Sequence, residues 1–322
     1  MVSEEMVGQR VVLRYRHRKA GDLPPFSDVV GVLTELTADT AVVDSRTGPR
    51  RIARDAVVTA KPIRASRREI LELERIARRG WRAATQVELD GWQLYADRGW
   101  TGRANSALPL ATLTRPLDEQ LAEVEAFYDG RGLLPQIQVP LPARELLDAE
   151  LARRGWTIAR PTIVLTRPLE RRTHDGPAVD DESPAGTSTF ADAPGRDWIA
   201  GYHYRGGPLP DFAVELLTRH ERVTFAGIER AGRIAAIGRG VVDDGWLGIT
   251  AIDVTPEFRR QGLATEIMHD LFGWGVEHDA RDCYLQVDES NAAALRLYAG
   301  LGFTEHHRYQ YRIRPTRGAD PA

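Results

Sequence analysis

Residues 247–272 read LGITAIDVTPEFRRQGLATEIMHDLF, a stretch that divides into strand, loop and helix. Leu247, Ile249, Ala251 and Asp253 alternate with Gly248, Thr250, Ile252 and Val254, and the β-branched content suits a strand buried on most of both faces. Pro256 has no N–H to give a ladder, so the strand ends before it. From Gly262 onward Leu263, Ile267, Leu271 and Trp274 recur at three- and four-residue steps, which is one face of a helix. Between them lies Arg259-Arg260-Gln261-Gly262-Leu263-Ala264-Thr265. The first turn of a helix has N–H groups without intrahelical partners, and with the positive end of the helix dipole these can hold a phosphate. Gly262 and Ala264 keep bulk away from that approach, and Arg259 and Arg260 add positive charge. Taken alone, the same turn is how an ordinary helix with solvated arginines begins.

A second pattern follows downstream. Cys283 to Val287 reads as a strand, and after it comes Asn291-x-x-Ala-x-x-Leu-Tyr298-x-x-x-Gly302-Phe303. With both stretches in this order, residues 189 to 314 resemble the GNAT superfamily of acyl-CoA-dependent N-acyltransferases. The Arg-x-x-Gly-x-Ala turn is similar to that family's coenzyme A pyrophosphate loop. The resemblance implies an α/β (α+β) GNAT fold with a central mixed sheet flanked by helices, and acetyl-CoA as co-substrate.

Away from these motifs, 322 residues exceed one ordinary domain, and 42% hydrophobic content supports real cores. No apolar run approaches a membrane span, and Met1-Val2-Ser3-Glu4-Glu5 lacks a basic-then-apolar leader, so no membrane association and a cytoplasmic location are expected. The single cysteine excludes an internal disulfide and a multi-cysteine metal site, and no HExxH pair occurs, so no metal is expected. A net charge of −3 gives no general pull toward nucleic acid. The oligomeric state is left open, a homodimer included.

Residues 1–65 carry no helical period. Arg10–Tyr15, Asp28–Leu36, Thr40–Asp44, Arg50–Ala53 and Val57–Pro62 read as five short strands, which suggests a small β-barrel of the Src-homology-3 kind. Arg14, Arg16, Arg18 and Lys19 alternate, either as a solvated face or as a basic stripe for RNA or an acidic partner. Ser66-Arg67-Arg68-Glu69 is a capping box that opens a helix and a second unit, residues 66–170. That unit is expected to hold a hairpin at Asp90-Gly91, a strand over Arg103–Leu110, a helix from Leu117, the strand Gln136–Val139, a helix over Ala143–Arg154 and a strand Thr162–Arg167. Gln138-Val139 stands 148 residues before Gln286-Val287, and Gly155-Trp156 147 before Gly302-Phe303. This offset indicates an internal repeat and hence tandem GNAT-like units, the first degenerate because no Arg-x-x-Gly-x-Ala turn precedes Leu117 and Glu150 or Leu151 falls where Tyr298 would be. Residues 171–188 read as a linker, 189–316 as the catalytic unit and 317–322 as a disordered tail.

Acyl transfer from a thioester needs a held donor, a polarised carbonyl and proton handling at nitrogen and sulfur. The resemblance implies that main-chain groups of Ile252 and Val254 pair with the pantetheine arm. It assigns Arg259, Arg260, Gln261, Gly262, Leu263, Ala264, Thr265 and Asn291 to coenzyme A binding and Tyr298 to protonation of the leaving thiolate; otherwise Tyr298 is a packing tyrosine. In several relatives a glutamate near the start of the central strand is the base, but Gly248 stands there. Asp253, Glu229 or an ordered water chain are the candidates, while Asp288 and Glu289 are read as caps of the next helix. Cys283 shares a strand face with Leu285 and Val287, which favours a core residue over an acyl-cysteine. The acceptor is a small-molecule or protein amine. L-glutamate, as in arginine biosynthesis, would need cations such as Arg103, Arg239, Arg296 and Arg308. The other class of reading is a regulatory module that only holds coenzyme A.

Overall fold

The structure, a computed structural model, describes residues 2–17, 25–45, 47–112, 114–169, 188–203, 207 and 209–314. The N-terminal strands are β1 (Arg10–Arg16), β2 (Phe26–Leu36), β3 (Thr40–Ser45), β4 (Gly48–Ala53) and β5 (Val57–Pro62), in the antiparallel order β4-β3-β2-β1-β5. Val11, Leu13, Leu33, Ala41 and Val43 are fully buried between them. Arg14 is held by both carboxylate oxygens of Asp28 at 2.8 Å, so part of the alternating basic run is neutralised within the sheet. Arg18 and Lys19 lie outside the described residues, as do the 317–322 tail and all of the 171–188 stretch but Ser188.

The capping box forms as expected: Ser66 Oγ accepts from the Glu69 N–H at 3.3 Å, and the Ser66 N–H donates to Glu69 Oε2 at 2.8 Å. It starts α1 (Arg67–Arg79), followed by β6 (Thr85–Leu89), β7 (Trp92–Ala96), β8 (Ala107–Pro109), α2 (Leu117–Asp129), β9 (Gln136–Leu141), α3 (Glu145–Arg153) and β10 (Thr157–Pro168). Asp90 and Gly91 take φ of 44° and 80°, the left-handed pair a tight hairpin needs. The strand expected from Arg103 is shorter than its apolar content suggested. Asn105 Oδ1 accepts from the N–H groups of Asp97 and Gly99, which holds 97–105 as a loop with one 3₁₀ turn.

The remaining elements are β11 (Thr189–Ala191), α4 (Arg196–Gly201), α5 (Ala213–Thr218), β12 (Val223–Arg230), β13 (Arg233–Asp243), β14 (Trp246–Val254), α6 (Leu263–Glu277), β15 (Asp282–Asp288), α7 (Ala292–Gly300) and β16 (Thr304–Ile313). All strands from β6 onward join one mixed eleven-stranded sheet, ordered β11-β12-β13-β14-β15-β10-β16-β9-β8-β7-β6. The two halves repeat one sequence of elements and exchange their last strands. β10 from the first half pairs antiparallel with β15 of the second, and β16 pairs antiparallel with β9. Arg312 clasps both oxygens of Asp148 at 2.8 and 2.7 Å, fastening β16 to α3.

One sheet face packs against α6 and α7 through Leu247, Ile249, Ile267, Leu271, Cys283 and Leu285. The opposite face is covered near β12 and β13 by Trp198, Leu216 and Leu217, and further along by Leu73, Ile76 and Ala77 of α1. A cleft of about 780 Å³ lies between the N-terminal sheet and the body, bordered by Arg10, Glu69, Trp246, Asp282 and His306. It lies at the Trp246 end of β14. No helix among the described residues is long and apolar enough to cross a membrane.

Candidate functional site

The site starts where β14 and β15 part. Their parallel pairing runs from Trp246 opposite Asp282 to Ile249 opposite Leu285 and then stops, while β14 stays paired with β13 as far as Val254. Residues 250–254 therefore present a strand edge with no paired strand on the β15 side among the described residues. Thr250 Oγ1, at the point of divergence, is buried without a partner among the described residues. An extended ligand that adds a strand there would satisfy such an edge.

Simple alternation fails within this strand. Ala251 has φ of 57° and the register with β13 slips between Ile237 and Arg239, so a bulge interrupts β14. Leu247 and Ile249 before it share the α6 face with Ile252 and Val254 after it, whereas Ala251 packs with the cluster around Trp198. The expected pairing of Asp253 with Leu247 and Ile249 is thus reversed. Asp253 sits on the face opposite α6, where its Oδ2 accepts from the His203 N–H at 3.4 Å and lies 3.7 Å from His203 Nδ1. The strand is also less buried than expected: it is covered through Ile249 and half-buried beyond.

The loop is organised around Gly262, whose φ is +82° and whose missing Cβ faces open space. Its carbonyl accepts the Thr265 and Glu266 N–H groups, while those of Gln261, Gly262, Leu263 and Ala264 have no backbone partner among the described residues. The only acid in the first turn of α6, Glu266, is matched by Arg230 at 3.1 and 3.2 Å, and Glu257 by Arg233 at 2.9 Å. These two arginines of the β12–β13 hairpin, which sequence reasoning missed, leave Arg259 and Arg260 exposed without a carboxylate partner among the described residues. Arg259 Nε also donates to the Val254 carbonyl at 3.0 Å, tying the loop to the strand end. The fixed positive groups suit an anion here.

Tyr298 packs against the α6-side core and meets Phe303 edge-on at 5.9 Å. Its hydroxyl takes no hydrogen-bond partner among the described residues, and burial, with Cys283 nearby, pushes its pKa up to about 12. It therefore carries its proton at neutral pH. Asn291 is the cap of α7, its Oδ1 accepting from the Ala294 N–H at 3.1 Å; the capping role expected of Asp288 and Glu289 does not arise, and Asp288 Oδ1 instead accepts from Ser290.

Other expectations separate. Gly248 lies under Tyr284: a Cβ there would stand 2.4 Å from the phenol oxygen, so no glutamate fits. Glu229 is exposed near the hairpin end, two strands from β14, and is not brought to the split. Cys283 is fully buried and burial pushes its thiol pKa well up, which suits packing and not nucleophilic attack. The four arginines do not form one cluster. Arg239 is buried and donates to the Leu217 and Gly80 carbonyls, Arg308 is paired with Glu305, Arg296 is exposed on α7, and Arg103 donates to Gln286.

Comparison with known proteins identifies the family. Residues 67–312 match the family model described as "Probable histone acetyltransferase Rv0428c C-terminal". Residues 5–61 match "Rv0428c N-terminal Sm-like domain", so the small N-terminal sheet is of the Sm-like kind. The chain is 31% identical to "Probable histone acetyltransferase Rv0428c" of Mycobacterium tuberculosis over 97% of this chain and 96% of that one. It is 28% identical to "Uncharacterized N-acetyltransferase YobR" of Bacillus subtilis over 76% of this chain and 99% of that one. Among solved structures, a GCN5-related N-acetyltransferase from Kribbella flavida shares the fold, with a TM-score of 0.56 and 15% identity over 78% of this chain and 97% of that one. The chain therefore belongs to the Rv0428c family and is an N-acetyltransferase of the GNAT type.

Proposed function

We propose that the chain transfers the acetyl group of acetyl-CoA directly to a primary amine at the split between β14 and β15. The observation that carries this is the strand edge at 250–254 lying beside an α6 start whose amides have no backbone partner, and whose Arg259 and Arg260 have no carboxylate partner, among the described residues. In this reading the main chain at Ile252 and Val254 holds the pantetheine arm. The amides of Gln261, Gly262, Leu263 and Ala264, with Arg259, Arg260 and the Thr265 side chain, hold the pyrophosphate, and Asn291 sets the start of α7 so that Tyr298 faces the sulfur. Tyr298 donates its proton to the departing thiolate, and Asp253 stands on the amine side.

For the acceptor we favour a protein or peptide amine over L-glutamate. A dicarboxylate would need exposed cations together, and of the four arginines considered Arg239 is spent on backbone carbonyls and Arg308 on Glu305. A relative named for histone acetylation points the same way. Thiol release from acetyl-CoA, measured with a lysine-containing peptide, an alanyl N-terminal peptide and L-glutamate, tests this. Tight acetyl-CoA binding with no turnover on any amine would favour a coenzyme A-binding regulatory module instead.

A further inference from the structure

The acetyl-transfer reading leaves the proton acceptor unassigned, and the contacts of Asp253 point to a residue 50 positions earlier. His203 follows the last turn of α4, and its ring Nδ1 lies 3.1 Å from the Gly201 carbonyl oxygen. A carbonyl only accepts, so Nδ1 carries the hydrogen and the neutral ring keeps its lone pair on Nε2. Asp253 Oδ2 accepts the His203 main-chain N–H at 3.4 Å and lies 3.7 Å from Nδ1. That is too long for a second hydrogen bond and close enough to stabilise the ring once it is charged. An imidazole oriented through one nitrogen, with a carboxylate beside it, is the arrangement of a general base and its orienter.

Placement supports the same role. The bulge at Ala251 turns Asp253 to the sheet face opposite α6, whereas Tyr298 packs against the core on the α6 face. The two proton transfers occur at different atoms, nitrogen and sulfur, so base and acid are needed on different sides of the thioester carbon. The side chain of His203 is 53% exposed and reachable by an incoming amine, while Asp253 is 22% exposed.

We propose that His203 is the general base for the acceptor amine and that Asp253 is its positioning residue. This inference rests on the acetyl-transfer reading of the split. The amine nitrogen forms a bond to the acetyl carbonyl carbon and gives its extra proton to His203 Nε2. The carbon–sulfur bond breaks, and the sulfur takes a proton from the Tyr298 hydroxyl. Solvent then takes the proton from the imidazolium and returns one to the phenolate, closing the cycle.

The test measures thiol release from acetyl-CoA on the full chain, with a lysine-containing peptide and, for the same variants, with water alone as acceptor. His203→Ala should lower kcat by about 10- to 100-fold with acetyl-CoA affinity unchanged by calorimetry, and added imidazole should restore part of the rate. Asp253→Asn should cost less, lowering kcat with KM for acetyl-CoA nearly unchanged, and Asp253→Glu should restore part of the rate. A His203→Ala chain that turns over at the wild-type rate overturns the assignment, as does a loss that tracks acetyl-CoA affinity. Wild-type protein that fails to bind acetyl-CoA defeats the acetyl-transfer reading itself, a separate outcome.

Discussion

The phenol of Tyr284 occupies the volume that a side chain at position 248 would need: a Cβ on Gly248 would lie 2.4 Å from the hydroxyl oxygen and 2.5 Å from ring Cζ. Tyr284 is itself buried, and its ring meets Trp246 edge-on. Gly248 is thus the partner of a large neighbour on β15, directly opposite it in the parallel pairing.

Gly248→Ala should therefore destabilise the fold by about 1–3 kcal/mol through overpacking. Tyr284→Leu combined with Gly248→Ala should recover much of that loss, because the two changes share one space. Urea-unfolding midpoints for the two singles and the double would decide it, and strict additivity would count against the clash.

The donor loop is sensitive in a different way. Gly262 lies in the left-handed region, and a Cβ added there would meet no atom within 4 Å, so substitution costs backbone strain and no collision. Aspartate tolerates that region better than most residues. Gly262→Asp should keep the fold and abolish acetyl-CoA binding, since its carboxylate meets the pyrophosphate. Near-normal affinity by calorimetric titration would remove the loop from the site.

One acetyl-CoA should bind per chain. The start of α2, which corresponds to α6 in the first half, carries Asp118 and Glu119 in its first turn, and the preceding Arg115 is held by Asp90, Glu119 and Glu123. Carboxylates occupy the helix start there, and no glycine opens it. Native mass spectrometry finding two ligands per chain would contradict this.

Much of this site was legible because it depends on local properties. The sequence reads Gly262 as the turn that opens α6, where its freedom at positive φ acts on its own neighbours, whereas the cap of α7 falls to Asn291 and not to Asp288 or Glu289. The bulge at Ala251 was not legible, since an alanine is held at positive φ only by the slipped register with β13. Nor was the exchange of β10 and β16: the sequence reads Thr162–Arg167 as a strand, while the edge that β10 or β16 takes is set by pairing across the chain. His203 and Asp253 carry no shared pattern in sequence and meet only through the packing of α4 on β13.

Stability should fall with acid over a defined window. His306 is half-buried beside His307, whose far nitrogen lies 2.7 Å from the buried Glu74 carboxylate, and burial with the neighbouring ring holds the pKa of His306 down to about 4. An unfolded histidine titrates near 6.5. Between about 6.5 and 4 the unfolded chain binds a proton that the native state does not, so stability drops as pH falls through that range. His306→Asn should reduce the loss between pH 7 and pH 5 by about 1–2 kcal/mol. An unchanged slope in chemical denaturation would show that this ring does not contribute.

Tyr298→Phe should lower turnover far more than it weakens acetyl-CoA binding. The phenyl ring keeps the edge contact with Phe303 and the packing on the α6-side core, so the change removes little beyond a hydroxyl. That hydroxyl has no protein acceptor among the described residues, and its raised pKa keeps the proton in place until charge appears on sulfur. A group used mainly in the transition state shows its loss in kcat, with KM nearly unchanged. General acids contribute on the order of 10² to 10⁴ in rate, and a water that substitutes for the phenol would bring the loss down to about tenfold. Acyl donors with a more acidic leaving thiol need less protonation and should be slowed less by the same change. A Tyr298→Phe chain that turns over acetyl-CoA at the wild-type rate would return Tyr298 to a packing role.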